Sequence, residues 1–440
     1  MNVRKLTDQY GKLLYPGMQV KRWLALAIFG IALTSVGLAI WVDLRPIANS
    51  LRLLRGLATL VPNDISGPLV VLAGIGLIVV GLRSTLGSIT EVLVSDGEDD
   101  LVERLFRRRR LSRGPRIVAI GGGTGLSTLL RGLKNYSSNI TAVVTVADDG
   151  GSSGRLRQEF GVLPPGDLRN CLAALADEEK LLTELFQYRF KTGEGLAGHS
   201  FGNLFLTAMA EITGDLEKGV EASSRVLAIR GRVLPATLDD MKLWADLEDG
   251  RRVEGESHIP EAGGRIVRIG CLPERPRALP AVVEAIREAE LIVIGPGSLY
   301  TSIAPNLLVP EIAQALRDSS ALKIYICNVM TQQGETDGYS VSDHVRALDA
   351  AAGGRVFETV MVHKEAPTQN LALYRERHCE PVTIDYDALT LMGLTVVRAN
   401  IMEEAPTGKT IRHHSRRLGR ALLQWYARRL RQHRQQLRAS

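Results

Sequence analysis

Residues Arg116 to Leu126 read RIVAIGGGTGL, an apolar, β-branched run that breaks abruptly into glycine and then resumes in helical periodicity. That change marks a strand, a loop and a helix in succession, the opening unit of an α/β domain. The loop is Gly121, Gly122, Gly123, Thr124 and Gly125, with a helix expected from Leu126. Glycine lets the backbone approach a phosphate, and the helix N-terminus adds free N–H groups and partial positive charge. No Gly-Lys-Ser/Thr follows, so this is not a Walker loop. The third glycine position of a dinucleotide fingerprint is Leu126, so it is not that either. A tight strand-to-helix turn is the plain alternative to a phosphate cradle.

Outward from this loop, Ile140 to Val146, Leu291 to Ile294 and Lys323 to Cys327 are further strand-like runs, each ending at a polar or glycine-rich loop. Together they predict a doubly wound, mostly parallel sheet over residues 115 to 400. Ligands of such sheets bind outside the carboxyl ends of the strands, so the four loops are expected to face one crevice. A more β-rich segment from about Gly219 to Leu272, containing EDGRRVEGES, reads as an inserted subdomain.

The second loop, VADDGGSSGRL, places Asp148 and Asp149 at a strand end, followed by Ser152, Ser153 and Arg155. Adjacent carboxylates can hold Mg²⁺ or a ribose hydroxyl, and an arginine can fork onto a phosphate. In PPGDLRNCL, Asp167 is placed to cap a helix, with Arg169 and Asn170 in its first turn. His199 and Asn203 in GHSFGNLFL open another helix, as ligand contacts or as stitches between loops. In GPGSLYTS, Gly295 and Gly297 free the backbone, Ser298 donates, and Tyr300 offers a ring to stack on a base. CNVMTQQGETDGY carries Asn328, Thr331, Gln332 and Thr336, neutral hydrogen-bonding groups suited to a sugar or a base.

Before this domain, Trp23 to Val42 is a run of about twenty residues without a charge, enough to cross roughly 30 Å of hydrocarbon. Tryptophans stand at both of its ends, and a second apolar run covers Ile65 to Leu82. Residues 23–82 therefore read as a transmembrane helical hairpin. A cleaved signal peptide fits poorly, because the run is long and no small-x-small site follows before Asp43. Arg4, Lys5, Lys12, Lys21 and Arg22 precede the first run, and Arg83 with an arginine cluster follows the second. This bias places residues 1–22, the charged linker 83–114 and the large domain in the cytoplasm, at the cell membrane.

The formal charge of +6 resides in the flanks. Six arginines fall within residues 107 to 116, and ten Lys or Arg between Lys409 and Arg438, with no acid in either stretch. The remainder is thus near −10, which argues against a nucleic-acid surface on the globular part. In the tail, 401–440, Leu418, Leu422 and Trp425 fall at helical spacing among arginines. Either a membrane-surface helix or a helix capping the domain has this pattern. The four cysteines are scattered singly, as in a reducing compartment. A homo-oligomer is permitted but not specified.

The motifs GGGTGLSTLLRGLK, TVADDGGSSGRLR, PPGDLRN, GHSFGNL, VIGPGSLYTSIAPNLLVP and CNVMTQQGETDGY occur in this order between Arg116 and Arg398. With them the chain resembles the YvcK family of bacterial gluconeogenesis factors, within the superfamily of the 2-phospho-L-lactate transferase CofD. The resemblance implies a CofD-like fold, binding of UDP-sugars such as UDP-N-acetylglucosamine, and a role in cell-wall and shape homeostasis during gluconeogenic growth. It implies no established reaction, and it makes Tyr300 the uridine contact. Typical members begin near the glycine loop, whereas this chain adds a hairpin and a basic tail. The competing readings are a Mg²⁺-dependent transferase of the CofD type, moving a phospho-lactyl-like group from an activated nucleotide, and a membrane scaffold with a vestigial site. Against the transferase, no general base is evident in the motifs.

Overall fold

In the computed structural model, the strands predicted on either side of the glycine loop lie side by side. The structure describes residues 109–440 apart from 177–178, 369, 405–409 and 440. The predicted hairpin and nearly all of the charged linker lie outside the described residues. Among those described, no helix is long and apolar enough to cross a membrane.

Strands β1 (Ile117–Gly121), β2 (Ile140–Val144), β3 (Arg232–Pro235), β7 (Leu291–Ile294), β8 (Leu322–Ile326), β9 (Thr359–His363) and β10 (Thr395–Ala399) form the main sheet. Its order is β10-β9-β8-β7-β1-β2-β3, and every pairing is parallel. All residues of β1, β2 and β7 are buried. Uninterrupted apolar runs are what a parallel sheet covered on both faces requires. Alternate side chains divide between two cores. Val118, Ile120, Val143, Ile292 and Ile294 point into one, and Ile117, Ala119, Ala142, Val144, Leu291 and Val293 into the other.

The chain winds outward from β1 through β2 to β3, then returns on the opposite side of β1 with β7, β8, β9 and β10. The winding reverses between β1 and β7, where a doubly wound sheet opens its ligand crevice. The helices that shape that crevice are α1 (Gly123–Leu133), α2 (Gly151–Phe160), α3 (Gly166–Leu175) and α4 (Phe201–Thr213). Between β3 and β7 lies a three-stranded antiparallel sheet of β4 (Lys242–Leu247), β5 (Arg252–Glu254) and β6 (Ile266–Leu272). The inserted β unit therefore begins at Lys242, not Gly219. The stretch before it is the end of a helix, Leu216–Val226, and the edge strand β3 of the main sheet.

The basic tail is part of the domain. After the short hairpin β11 (Met402–Glu404) and β12 (Ile411–His413), helix α5 (Ser415–Ala439) lays Leu418, Leu422, Trp425 and Tyr426 into the second core. It crosses α1 at two glycines. A Cβ on Gly132 would meet Ser415 O at 2.2 Å, and one on Gly419 would lie 2.8 Å from Gly132 C. The compact unit thus runs from Leu111 to Ser440 rather than ending near residue 400.

Candidate functional site

The carboxyl ends of β8, β7, β1 and β2 are neighbours, so all four loops singled out by their composition do converge. Helix α1 starts at Gly123, earlier than the periodicity indicates, with Gly122 extended and Gly123 at φ 56. Gly125 answers a packing demand, because a Cβ there would lie 2.4 Å from Pro296 O in the opposing loop. Leu126 is not a ligand contact. Its side chain is fully buried, and its amide donates to Gly122 O at 3.3 Å.

Asp167 does not cap its helix either. α3 begins at Gly166 with Pro165 in the capping position, leaving Asp167 in the first turn. Its carboxylate instead accepts the Gly123 amide, and a Cβ on Gly122 would lie 2.5 Å from Asp167 Oδ2. A carboxyl group therefore stands at the mouth of the glycine loop, on the amides that would face a phosphate. Burial, reinforced by the Asp148 charge, raises its pKa to about 7, against the opposing pull of the Gly123 amide and Arg169.

The two adjacent aspartates divide. Both oxygens of Asp149 are taken by the inserted β unit, Oδ1 accepting from Ser257 N and Oδ2 from Glu256 N, each at 2.9 Å. Asp148 accepts only its own turn, from Gly150 N at 3.0 Å, and α3 approaches it so closely that a Cβ on Gly166 would lie 2.8 Å from its Oδ2. The clamp at Asp149 brings in Glu256, which reading the sequence did not select. Burial first, then Asp148 and Asp167, push its pKa up to about 8. Asp148, Asp167 and Glu256 thus form an acidic wall. Among the described residues no three metal-capable groups close into a cage. One or two carboxylates beside phosphate oxygens nevertheless suit Mg²⁺, which keeps most of its water.

This wall predicts a pH signature. The folded state holds a proton on Glu256 up to about pH 8, whereas an ordinary glutamate releases it near 4.5. Stability is therefore full below the ordinary value and declines as pH rises toward 8. Asp167 has the same sign but levels off near 7. Glu256→Gln is expected to abolish the fall in melting temperature between about pH 7 and 8, and to leave below pH 7 only the shallower fall that Asp167 contributes. Parallel curves for wild type and variant would show that Glu256 is not held protonated.

The opposite side is cationic. Ser152 Oγ accepts from Asn203 Nδ2 at 3.1 Å and lies 3.1 Å from His199 Nδ1, while Asn203 Nδ2 also reaches Ser153 Oγ at 3.3 Å. Ser152 Oγ accepts from Ser200 N as well, at 3.4 Å, so both its lone pairs are used and its proton points to His199, leaving the imidazole proton on Nε2. Burial, followed by the Arg155 charge, lowers the His199 pKa, as befits a neutral ring. Ser152, Ser153, His199 and Asn203 are all buried, and they stitch α2 to α4.

Around the same turn, Arg155 Nη1 donates to Ala197 O at 3.1 Å, Arg189 Nη1 to Gly198 O at 2.9 Å, and Arg169 Nη1 to Ser200 Oγ at 2.6 Å. Arg169 also donates to Asn170 Oδ1 at 3.1 Å, and its buried Nε has no partner among the described residues. Burial, then the like charge of Arg189, lowers its pKa. Arg189 too is absent from the sequence motifs. It is delivered by the bridge that pairs Arg189 with Ser200, a tertiary event without a local signature.

The third and fourth loops are knitted together. Ser298 Oγ donates to Gln332 Oε1 at 2.8 Å, and Asn328 Nδ2 to Gly297 O at 2.7 Å. Gly295 takes φ 73, a left-handed turn at the end of β7. Glu335, 2% exposed, accepts from Tyr300 N, Thr301 Oγ1 and Gln332 Nε2 at 2.7–3.0 Å. Tyr300 lies within a π-helical turn, Leu299–Ile303, and is only 5% exposed. Its ring packs in the first core and its hydroxyl meets Tyr339 Oη at 2.9 Å. The ring anticipated for base stacking is therefore a core side chain, packed inward from the π-helical turn.

Comparison with known proteins adds an independent line. The family model for 2-phospho-L-lactate transferase CofD matches residues 117–402. A protein from Nostoc sp. (strain PCC 7120), assigned to the gluconeogenesis factors, is 61% identical over 425 residues, 95% of this chain and 93% of its own. The gluconeogenesis factor of Bacillus subtilis is 51% identical over 314 residues, 71% of this chain and 98% of its own. A crystal structure of a Bacillus halodurans protein, 49% identical, superposes with a TM-score of 0.68 over 71% of this chain and 100% of that one. The Nostoc match reaches well before residue 109, so the long N-terminal segment is not peculiar to this chain.

Proposed function

Because the chain belongs to the gluconeogenesis factors of the CofD family, we propose that its crevice binds a nucleotide sugar of the UDP-N-acetylglucosamine type. On this reading the protein is a regulator that links gluconeogenic carbon metabolism to cell-wall synthesis and cell shape. The observation that carries it is the pairing of two oppositely charged walls at the sheet's reversal point. Arg155, Arg169 and Arg189 gather around Ala197–Ser200, and the charges of Asp148 and Asp167 act directly on Arg169. A diphosphate meets guanidinium groups on one side, while Asp148 and Asp167 on the other would hold a divalent cation such as Mg²⁺, which would neutralise the phosphates. The amides of the glycine loop would face the phosphates as well, and the neutral hydrogen-bonding groups of the fourth loop would suit the sugar. We further propose that the domain works in the cytoplasm at the cell membrane, held there by residues 23–82, and that nucleic acid is not its partner.

Calorimetric titration with UDP-N-acetylglucosamine in Mg²⁺ tests this. A hydrogen bond between charged partners is worth about 1.5–3 kcal/mol, so Arg169→Ala and Arg189→Ala are each expected to weaken binding about tenfold to a hundredfold. Unchanged affinity in both would remove the arginine side from the site.

The transferase reading also gains one observation. Asp167 at about 7 and Glu256 at about 8 are carboxyl groups poised for proton transfer near neutral pH, which the motifs alone did not offer. Consumption of an activated phospho-lactyl nucleotide by wild type, lost in Asp167→Asn, would favour it over a purely regulatory role.

A further inference from the structure

The C-terminal helix separates its two chemistries cleanly. Over Ser415–Ala439 it contains eight arginines and no acidic residue. Its apolar residues Leu418, Leu422 and Trp425 are buried against the domain. Arg416, Arg417, Arg420, Arg428 and Arg431 are exposed; Arg417 is tied back to the domain, donating to Met402 O at 2.9 Å and Asn400 Oδ1 at 3.3 Å, which leaves the other four. At 3.6 residues per turn these four fall within an arc of about 120°, opposite the buried face, and extend over about 22 Å of helix. Among the described residues, none of the four makes an ion pair. Arg429 and Tyr426 line a cleft of about 1010 Å³ together with Arg116, so the helix lies beside the point where the chain enters β1.

We propose that this arginine face is a peripheral contact for the headgroups of an anionic phospholipid bilayer, held by charge alone and without insertion. Charge complementarity and the one face the helix has left to offer both point to this partner. An amphipathic helix that embeds in lipid uses its apolar face. Here that face is occupied by α1, and the glycine crossing at Gly132 and Gly419 leaves no room for the helix to roll. Only the cationic side remains, and a row of arginines on a straight helix matches a flat, negatively charged plane. A nucleic-acid strand fits less well. Such surfaces interleave aromatic rings to stack bases, and the tryptophan and tyrosine of this helix are both buried. The rest of the domain outside the basic stretches is also net acidic and would repel an extended polyanion. The chain enters the domain beside this helix after the two uncharged runs, Trp23 to Val42 and Ile65 to Leu82. A contact there would add orientation to the proposed tether. The inference does not depend on the nucleotide-sugar reading.

The test uses residues 109–440. Leu111–Ser440 is a compact unit, and a Bacillus halodurans protein whose whole length matches 71% of this chain has a crystal structure of its own; the melting curve of the wild-type fragment checks its fold first. Sedimentation is measured with vesicles of phosphatidylcholine, with and without about 30% phosphatidylglycerol, at low and high salt. Wild type is expected to bind only the anionic vesicles and to be released by salt. Replacing Arg416, Arg420, Arg428 and Arg431 together by glutamine should weaken binding about several-hundred-fold, with an unchanged melting temperature. Brominated lipid should leave the fluorescence of Trp244 and Trp425 unquenched. Equal binding to both vesicle types, or full binding by the fourfold variant, would overturn the proposal. Quenching would overturn the non-inserting mode. If the variant proves misfolded, the salt and lipid dependence of wild type decides alone. Release of wild type from vesicles by an equal charge of duplex DNA would assign the face to nucleic acid instead.

Discussion

Tyr300→Ala is expected to lower the stability of the domain by about 3–5 kcal/mol, the usual cost of removing a large aromatic ring from a packed core. Tyr300 is 5% exposed, sits in the first core and holds Tyr339 through its hydroxyl. Folded domains commonly have about 5–15 kcal/mol in reserve, so the variant should unfold at a much lower denaturant midpoint. Tyr300→Phe keeps the ring and loses one hydrogen bond, about 1 kcal/mol or less. Tyr339 Oη also lies 3.4 Å from Ile266 O and is not stranded by the change. Chemical denaturation of both variants checks this. A wild-type midpoint for Tyr300→Ala would mean that the π turn opens readily and that the ring is available to the crevice after all. The same numbers warn against reading a ligand defect of Tyr300→Ala as a lost base contact unless the variant is shown to be folded.

Why that residue misleads when read in sequence is instructive. GPGSLYTS is polar and glycine-rich, like a loop tip, and the aromatic ring in it looks stranded. The partners that bury it, Tyr339 and Glu335, come from the far side of β8 and leave no trace near residue 300. The main strands were legible because burial on both faces demands unbroken apolar runs, as in IVAIG, ITAVV and LIVI. The glycine loops were legible for a related reason: Gly125 and Gly295 occupy positions that other residues would enter only with a clash or with strain. Glu256 and Arg189 were not, since the first needs β5 to return onto Asp149 and the second needs the 189–200 bridge. Asp167 follows a Pro-Pro-Gly turn as a capping residue does, but the helix starts at Gly166, two residues earlier than a cap at Asp167 would require, and this frees the carboxyl group for the glycine loop. Periodicity identified the apolar face of the tail helix, yet whether lipid or protein covers such a face is decided by α1, about 290 residues away in the chain.

Adjacent acids with opposite duties should give opposite phenotypes. Asp149 offers both oxygens to backbone N–H groups of the inserted β unit. In Asp149→Asn the amide keeps one acceptor and turns an NH₂ toward a second donor, so one bond is lost and the other loses its charge. Hydrogen bonds to a charged group are worth about 1.5–3 kcal/mol, and the expected result is destabilisation of that order, with the loop carrying Glu256 released from the crevice. Asp148 holds little of the fold, since its one amide partner is in its own turn. Its charge instead raises the pKa of both Asp167 and Glu256. Removing it in Asp148→Asn relieves that repulsion, so at pH 8 the variant should melt at or above the wild-type temperature. If the crevice binds a nucleotide sugar with Mg²⁺ as proposed, the variant should nonetheless lose the Mg²⁺ dependence of that binding, because the wall would then lack the carboxylate least committed to the fold. Melting and titration of the two single variants, with and without Mg²⁺, separate these roles. Should Asp148→Asn retain Mg²⁺-dependent binding while Asp149→Asn loses it without losing stability, the cation would belong to Asp149 and the clamp to the inserted unit would be incidental.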